Sequence, residues 1–391
     1  MKVLLIHNKY NSRRIGGEDI AFEQECRNLK NKLNYNLIVY EVDNTNISII
    51  RLLFSYFFSR KHYRNIRSII KSQAVDLVHI HNFFPQLTFS VFKAAKDSKV
   101  KLIHTIHSYR NWCIVGDFYR DGYGICEICS QKRYPWKSIY YKCYRKSFLL
   151  SIFYQINTWY NTYRNLYDKV DYFFALTKDQ EVRLVNLGIN KDKIFIKPNF
   201  LEFQNNSIVE VNKRSDYIFV GKIVASKGIH LLLEIWMTLP MEYVLHVIGE
   251  GSDFVYVSNK YKKSNIKFYG KLERSETLKM IGKSKFLIQP SLWFETFGLT
   301  ILEAFSFAVP VLGINIGTRV DFIINNYNGF ISSEIEFRNT IIGTLNIDNY
   351  KNLSDGAMET FKKYSPDITL ERQIAFYEYC INNEDACSPI L

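Results

Sequence analysis

The chain alternates short apolar runs with helix-patterned stretches, and it does so twice over. KVLLIH, LIVYEV, LVHIHN, KLIHTIH, YFFALT and IFIKPN occupy the first half, and YIFVGK, VLHVIGE, IKFYGK, FLIQP, VLGIN and GFISS the second. Runs of this kind are too continuous for a half-exposed strand and fit strands buried on both faces. Strands that alternate with helices build parallel sheets, since a parallel neighbour is reached only through a crossover. The pattern predicts an α/β chain of two doubly wound, Rossmann-like parallel-sheet domains of similar size, joined across LEFQNNSIVEVNKRSD and facing a crevice. The expected domains are 1–199 and 200–367. The remainder, 368–391, holds a helix over about 368–382 with no strand of its own, free to cross back to the first domain.

Composition narrows the partners. With 391 residues, 47% hydrophobic and 16% aromatic, the chain can bury two cores and is not disordered. Its formal charge of +13 points to an anionic partner such as a nucleotide, a phosphate, a lipid headgroup or nucleic acid, although part of the excess is Lys in an Asn, Ile and Tyr-rich background. No run approaches the roughly 18 uncharged apolar residues of a membrane span. The start, MKVLLIHNKYNSRR, turns polar too soon for a signal peptide, so a cytosolic protein is expected. Two stretches, ISIIRLLFSYFFSRKHYRNIRSIIKS and SFLLSIFYQINTWYNTYRNLYDKV, combine aromatic residues and Leu with regularly placed Lys and Arg. Each is either a basic, aromatic surface for an anionic bilayer or a sheet-covering helix with a solvated face.

Two places can carry chemistry. In FVGKIVASKGIHLLLEIW, Gly221 ends a strand, Lys222 follows, and Lys227 with Gly228 opens a helix whose buried stripe is Ile229, Leu232, Leu233 and Trp236. Backbone donors and ammonium charges converging on a helix start suit a diphosphate. Solvated lysines are the plainer reading. In PSLWFETFGLTILEAFSFAVP a strand, a loop and a helix follow one another, with Glu295 in the loop and Glu303 eight positions on in the helix. Both can address one ligand from its two ends, or both can be ordinary helix glutamates. There is no Walker pattern and no Gly-x-Gly-x-x-Gly after the first strand.

VGK with SKG, VIGEGSD, KFYGKL, PSLWFETFGLTILEAFSFAVPVL and IGTRVDFI, in this order, resemble the donor domain of retaining GT-B glycosyltransferases of family 4. GGE at 16–18, DLVHIHN at 76–82, HTIHSYR at 104–110 and LTKDQEVRLVNLGINKDKIFIKPN at 176–199 agree, so the resemblance covers nearly the whole chain. It implies that Lys222 and Lys227, after Gly221, hold the donor diphosphate. It further implies that Glu303 binds the ribose hydroxyls, that Glu295 contacts the transferred sugar, and that the Phe297, Gly298 and Leu299 backbone lies near the phosphates. His107 would reach the sugar from the other domain, and Gly16 and Gly17 would let the first-domain loop approach donor and acceptor. Lys222 stands where the family more often has Arg, Ala308 and Thr318 where it has Gly, and Asp321 where Glu is common.

Cys113, Cys126, Cys129 and Cys143 lie in an insert of about 108–146, separated by twelve, two and thirteen residues. A Cys-x2-Cys knuckle with two outlying cysteines can hold a structural zinc, or the four remain thiols. Some polysaccharide-assembling members of the family resemble this insert. The resemblance thus implies a retaining glycosyltransferase that moves a sugar from a nucleotide diphosphate sugar to a lipid-linked or oligosaccharide acceptor. It would need no cofactor for catalysis, and it would be peripheral on the inner face of a bacterial cytoplasmic membrane and serve O-antigen or capsule assembly. The alternatives are a nucleotide-sugar epimerase of the same fold and a basic nucleic-acid-binding protein. The basic residues are dispersed rather than gathered in a known module, so no nucleic acid partner is expected.

Overall fold

The structure, a computed structural model, describes residues 1–10, 16–33, 36–45, 55–130, 135–202, 210 and 214–382. All twelve expected strands form, six in each of two parallel sheets. The first sheet comprises β1 (Val3–Lys9), β2 (Leu37–Asp43), β3 (Leu77–Ile80), β4 (Lys101–Thr105), β7 (Tyr172–Ala175) and β8 (Ile194–Ile196), in the order β2-β1-β3-β4-β7-β8. Between β4 and β7 the insert adds an antiparallel hairpin, β5 (Tyr119–Arg120) with β6 (Gly124–Ile125), which the alternation does not reveal. The second sheet comprises β9 (Tyr217–Val220), β10 (Leu245–Ile248), β11 (Ile266–Gly270), β12 (Phe286–Gln289), β13 (Val311–Ile314) and β14 (Gly329–Ser332), in the order β11-β10-β9-β12-β13-β14.

The chain divides into two compact units, one of Met1–Asp117, Glu127–Phe200 and Pro366–Leu391, the other of Phe118–Cys126 and Leu201–Ser365. The hairpin therefore groups with the second unit although its flanks belong to the first. In the first unit Val3, Leu4, Leu5 and Ile6 of β1 are fully buried, which is why this strand reads as a continuous apolar run. The Gly17–Lys32 helix buries Phe22, Glu25 and Leu29, and the Pro366–Asn382 helix buries Leu370, Gln373, Phe376, Tyr377 and Cys380. The apolar members of both stripes join Val3, Leu5 and Ile103 in one core. In the second unit Ile229, Leu232, Leu233 and Trp236 of the Ile229–Met237 helix are fully buried against β9, β10 and β12, as their spacing predicts.

The Phe148–Tyr163 helix is inverted. Ser151, Gln155, Asn157, Thr158 and Asn161 are buried, whereas Phe148, Leu149, Leu150, Trp159 and Tyr163 are exposed, Leu149 by 76%. Exposed Trp136, Lys137, Tyr140, Lys142, Arg145 and Lys146 precede it along the chain. The other aromatic stretch is described only from residue 55 on, so its residues 47–54 lie outside the described residues. The described part includes the Arg60–Gln73 helix, which buries His62, Ile66 and Ile70. Among the described residues no helix is long and apolar enough to cross a membrane.

Candidate active site

In open parallel sheets, ligands bind at the carboxyl ends of strands where the strand order reverses. In the second sheet that point lies between β9 and β12, and the turns after those two strands carry Lys227 and Glu295. Their approach depends on glycine. Gly228 has φ +70°, and a Cβ there would stand 1.9 Å from the carbonyl oxygen of Pro290. The turn after β10 is pressed in the same way, since a Cβ on Gly249 would meet the Gly221 carbonyl oxygen at 1.8 Å.

The Lys227 ammonium, held by this turn, lies 2.5 Å from Glu295 Oε1 and 4.9 Å from the centre of the Trp293 ring. Ser291 donates a second hydrogen bond to Glu295 Oε1 at 2.8 Å. Burial by itself would raise the Glu295 pKa. The Lys227 and Arg319 charges, with the hydrogen bonds from Lys227 and Ser291, overcome that and bring it down to about 2. Arg319 is fully buried and donates to the carbonyl oxygens of Ile314 and Ser291 at 2.7 Å each, pinning the loop that presents Glu295. Lys222 is exposed one residue beyond Gly221.

Glu303 sits elsewhere on the Leu299–Ser306 helix and pairs with Arg274 at 2.8 Å. Burial raises its pKa and Arg274 opposes the rise. The two glutamates are thus separate ion pairs, each with its own cation. Gly298, at φ +82°, starts this helix with no side-chain cap on its amides. Phe297 is a core residue, packed edge-on to Phe322 at 5.0 Å. Two of the positions that depart from the family have a distinct local setting. Thr318 donates to the Phe297 carbonyl oxygen at 3.4 Å, and Ala308 takes φ +55°, the left-handed region that explains the usual glycine there.

In the first sheet the order reverses between β1 and β3. His107 lies just beyond β4 and belongs to this unit. Its Nε2 is 3.0 Å from Nδ1 of His81, with the rings stacked at 5.2 Å. His81 Nε2 faces Glu25 Oε1 at 3.4 Å, and Gln373 donates to the same oxygen at 2.6 Å. Lys197, fully buried, pairs with Glu25 Oε2. Burial pushes the Glu25 pKa up, but Lys197 and then His81 and His79 pull it well below the ordinary value. The same burial holds His107 and His79 well below the usual histidine range, and lowers His81.

An ionised Glu25 keeps the proton of His81 on Nε2, so His81 Nδ1 accepts and His107 Nε2 donates. That leaves His107 Nδ1 without a proton, as an acceptor. Gly16 precedes the Gly17–Lys32 helix, and its N–H donates to Asp19 Oδ2 at 3.2 Å. Asp19 Oδ1 in turn holds His7 Nε2 at 2.9 Å.

Glu25, His79 and His81 bring ligand atoms within 4.8 Å of one another, the one such trio among the described residues. Lys197 and Gln373 already engage Glu25, and Tyr377 and Thr105 engage both His79 nitrogens at 2.6 and 2.7 Å. The group is a charge network in which Glu25 and His79 are already engaged, while His81 Nε2 faces Glu25 without a hydrogen bond of good geometry. Cys113, Cys126, Cys129 and Cys143 are half-buried thiols. Among the described residues, Cys113, Cys129 and Cys143, all in the first unit, do not converge as a metal trio. Arg274, Arg319, Ser291 and the pair His81 and Glu25 had no role from the sequence. Arg319 and His81 stand inside quoted motifs, whereas their partners lie far along the chain.

Residues 26–204 match the model of Glycosyltransferase Family 4, and residues 202–342 that of Glycosyl transferases group 1. A Klebsiella pneumoniae protein described as "Uncharacterized 41.2 kDa protein in cps region" is 27% identical over 158 residues, 38% of this chain and 43% of that one. Lipopolysaccharide 1,6-galactosyltransferase of Escherichia coli K12 is 27% identical over 176 residues, 41% of this chain and 48% of that one. The chain therefore spans under half the length of either relative. Among solved structures, Anabaena Alr3699/HepE in complex with UDP superposes with a TM-score of 0.66 at 14% identity, over 97% of this chain and all of the other, a likeness of fold.

Proposed function

Because this chain belongs to the GT-B glycosyltransferases of group 1 and family 4, we propose that it transfers a sugar, with retention and without a catalytic metal, from a nucleotide diphosphate sugar to a lipid-linked or oligosaccharide acceptor. The Lys227–Glu295 pair at the switch point of the second sheet carries this reading. Cleaving the sugar–diphosphate bond leaves negative charge on the diphosphate, and a fixed ammonium stabilises that charge as it grows. A unit charge pair at 4 Å is worth about 4 kcal/mol in a surface-like dielectric, against about 1 for a neutral hydrogen bond, so Lys227 outweighs the loop amides. Glu295 holds the lysine in place and addresses the sugar hydroxyls. Glu303, steadied by Arg274, takes the ribose. The acceptor attacks on the face the diphosphate leaves, and the leaving phosphate oxygen takes its proton.

The inverted Phe148–Tyr163 helix and the basic residues before it support peripheral attachment to an anionic bilayer, where a lipid-linked acceptor resides. The similarity to a cps-region protein and a lipopolysaccharide galactosyltransferase supports surface polysaccharide, O-antigen or capsule, as the setting. Zinc on the four insert cysteines is a separate proposal, decided by metal analysis of the purified protein: one equivalent supports it and none removes it.

A thermal-shift series with UDP, GDP, ADP and dTDP tests the donor, UDP first because it occupies the Anabaena protein. Stabilisation by one base and not the others is expected. NMR of the product then reads the anomeric configuration. No stabilisation by any of them, or an epimerised donor formed without acceptor, overturns the reading.

A further inference from the structure

The first unit contains a recess, open to solvent, whose wall includes His107, Arg110, Tyr154 and Asn161. Arg110 stands in it between two aromatic rings, 5.6 Å from the centre of Tyr10 and 5.7 Å from that of Phe84. Its stem fits because residue 116 is glycine, where a Cβ would come within 2.9 Å of Arg110 Cγ. Arg110 Nε is buried without a hydrogen-bond partner. Glu18 also lines the recess, and its charge acts on the guanidinium, but no hydrogen bond joins the two among the described residues. A guanidinium is always charged and carries five donors in a planar fork, so one held against aromatic faces with its buried Nε–H lacking an acceptor is short of a group it is shaped for.

On the same wall Asn161 is 4% exposed and its Oδ1 also has no partner, while its amide nitrogen bonds Asn157 Oδ1 at 3.2 Å. The recess thus offers an unmatched donor on a guanidinium, Arg110 Nε, and an unmatched acceptor, Asn161 Oδ1, next to His107. A ligand that satisfies both carries an oxyanion and a hydroxyl. We propose that this recess is the acceptor subsite and that it selects an acidic sugar, bearing a phosphate or a carboxylate that Arg110 binds while Asn161 accepts from a hydroxyl. The inference rests on the glycosyltransferase reading, since it takes the recess beside His107 as the acceptor side.

The test is calorimetric titration of the full chain, saturated with the stabilising nucleoside diphosphate, with methyl glucoside 6-phosphate, methyl glucuronide and methyl glucoside. At least one charged probe is expected to bind about tenfold tighter than the neutral one, and the tighter of the two names the oxyanion. Arg110→Gln is expected to abolish that preference, and Arg110→Lys, which keeps the charge without the fork, to retain part of it. Should neither Arg110 variant fold, Asn161→Asp, which sets a negative charge against the oxyanion, is expected to reverse the preference. Equal binding of charged and neutral probes, or a preference that survives Arg110→Gln or Asn161→Asp, overturns the proposal. Nucleoside diphosphate stabilisation of the wild type reports on the donor reading separately.

Discussion

His81 Nδ1 and His107 Nε2 lie 3.0 Å apart, and Glu25 stands behind the other nitrogen of His81. One proton fits between the two rings, and the carboxylate decides which ring supplies it. His81 is thus a positioning residue that fixes the tautomer His107 presents.

His81→Phe keeps the packed ring and removes the hydrogen bond. A fall in kcat of about ten- to a hundredfold is expected, from about 1–3 kcal/mol of lost alignment. Nucleoside diphosphate stabilisation should stay unchanged. Steady-state kinetics decide, and an unaltered kcat would remove His81 from the mechanism.

Lys227→Ala should lower kcat far more than it raises the donor KM, because the charge it meets is largest in the transition state. Glu303→Gln should weaken nucleoside diphosphate binding instead, by about tenfold for one lost charged hydrogen bond. Comparing the two by kinetics and calorimetry separates stabilisation of the leaving diphosphate from grip on the ribose, and identical profiles would contradict the division.

The inner strands are legible because parallel strands buried on both faces leave continuous apolar runs such as VLLI in β1, whereas edge strands β2 and β11 alternate in burial. The stripe Ile229, Leu232, Leu233 and Trp236 was legible for a similar reason, since its spacing is the helical repeat. Pairings between distant side chains have no such period. Lys197 reaches Glu25 over 172 positions, and nothing in KPN announces it. The sequence shows Glu303 without its partner, because Arg274 meets it only through the packing of two helices. The hairpin β5–β6 escaped because two-residue strands are too short to show alternation.

Stability should decline with acidity in two stages. His79, His81 and His107 are held neutral by burial, with the Lys197 charge adding to that and Glu25 opposing it. Below about pH 6.5 the unfolded chain takes up protons that the folded chain refuses, costing up to about 1.4 kcal/mol per pH unit for each group. Glu295 acts later: its contribution is complete above the ordinary 4.5 and is lost as pH falls towards about 2. Urea unfolding at pH 7.5, 6 and 5 measures the first stage, and a flat profile would contradict it.

Glu25→Gln leaves Lys197 buried without its counter-charge, an arrangement that costs on the order of 3–5 kcal/mol. Glu25→Gln combined with Lys197→Met should recover much of the loss. Denaturant midpoints of the single and double variants check this, and additive effects would count against the pair.

Gly228→Ala forces a Cβ onto the Pro290 carbonyl in a left-handed turn. A loss on the order of 2–4 kcal/mol is expected, together with weaker nucleoside diphosphate binding. A variant with wild-type melting temperature and affinity would show that the turn moves freely.

The Pro366–Asn382 helix completes the first unit, supplying Leu370, Phe376 and Tyr377 to its core and Gln373 to Glu25. Synthesis on the ribosome ordinarily lets domains close in the order they emerge. Here the opening unit stays without part of its core, and without its tyrosine for His79, until the whole of Leu201–Ser365 has been made. A nascent chain halted before residue 366 should hold a finished second unit beside an unfinished first, and so be the species on which chaperones act.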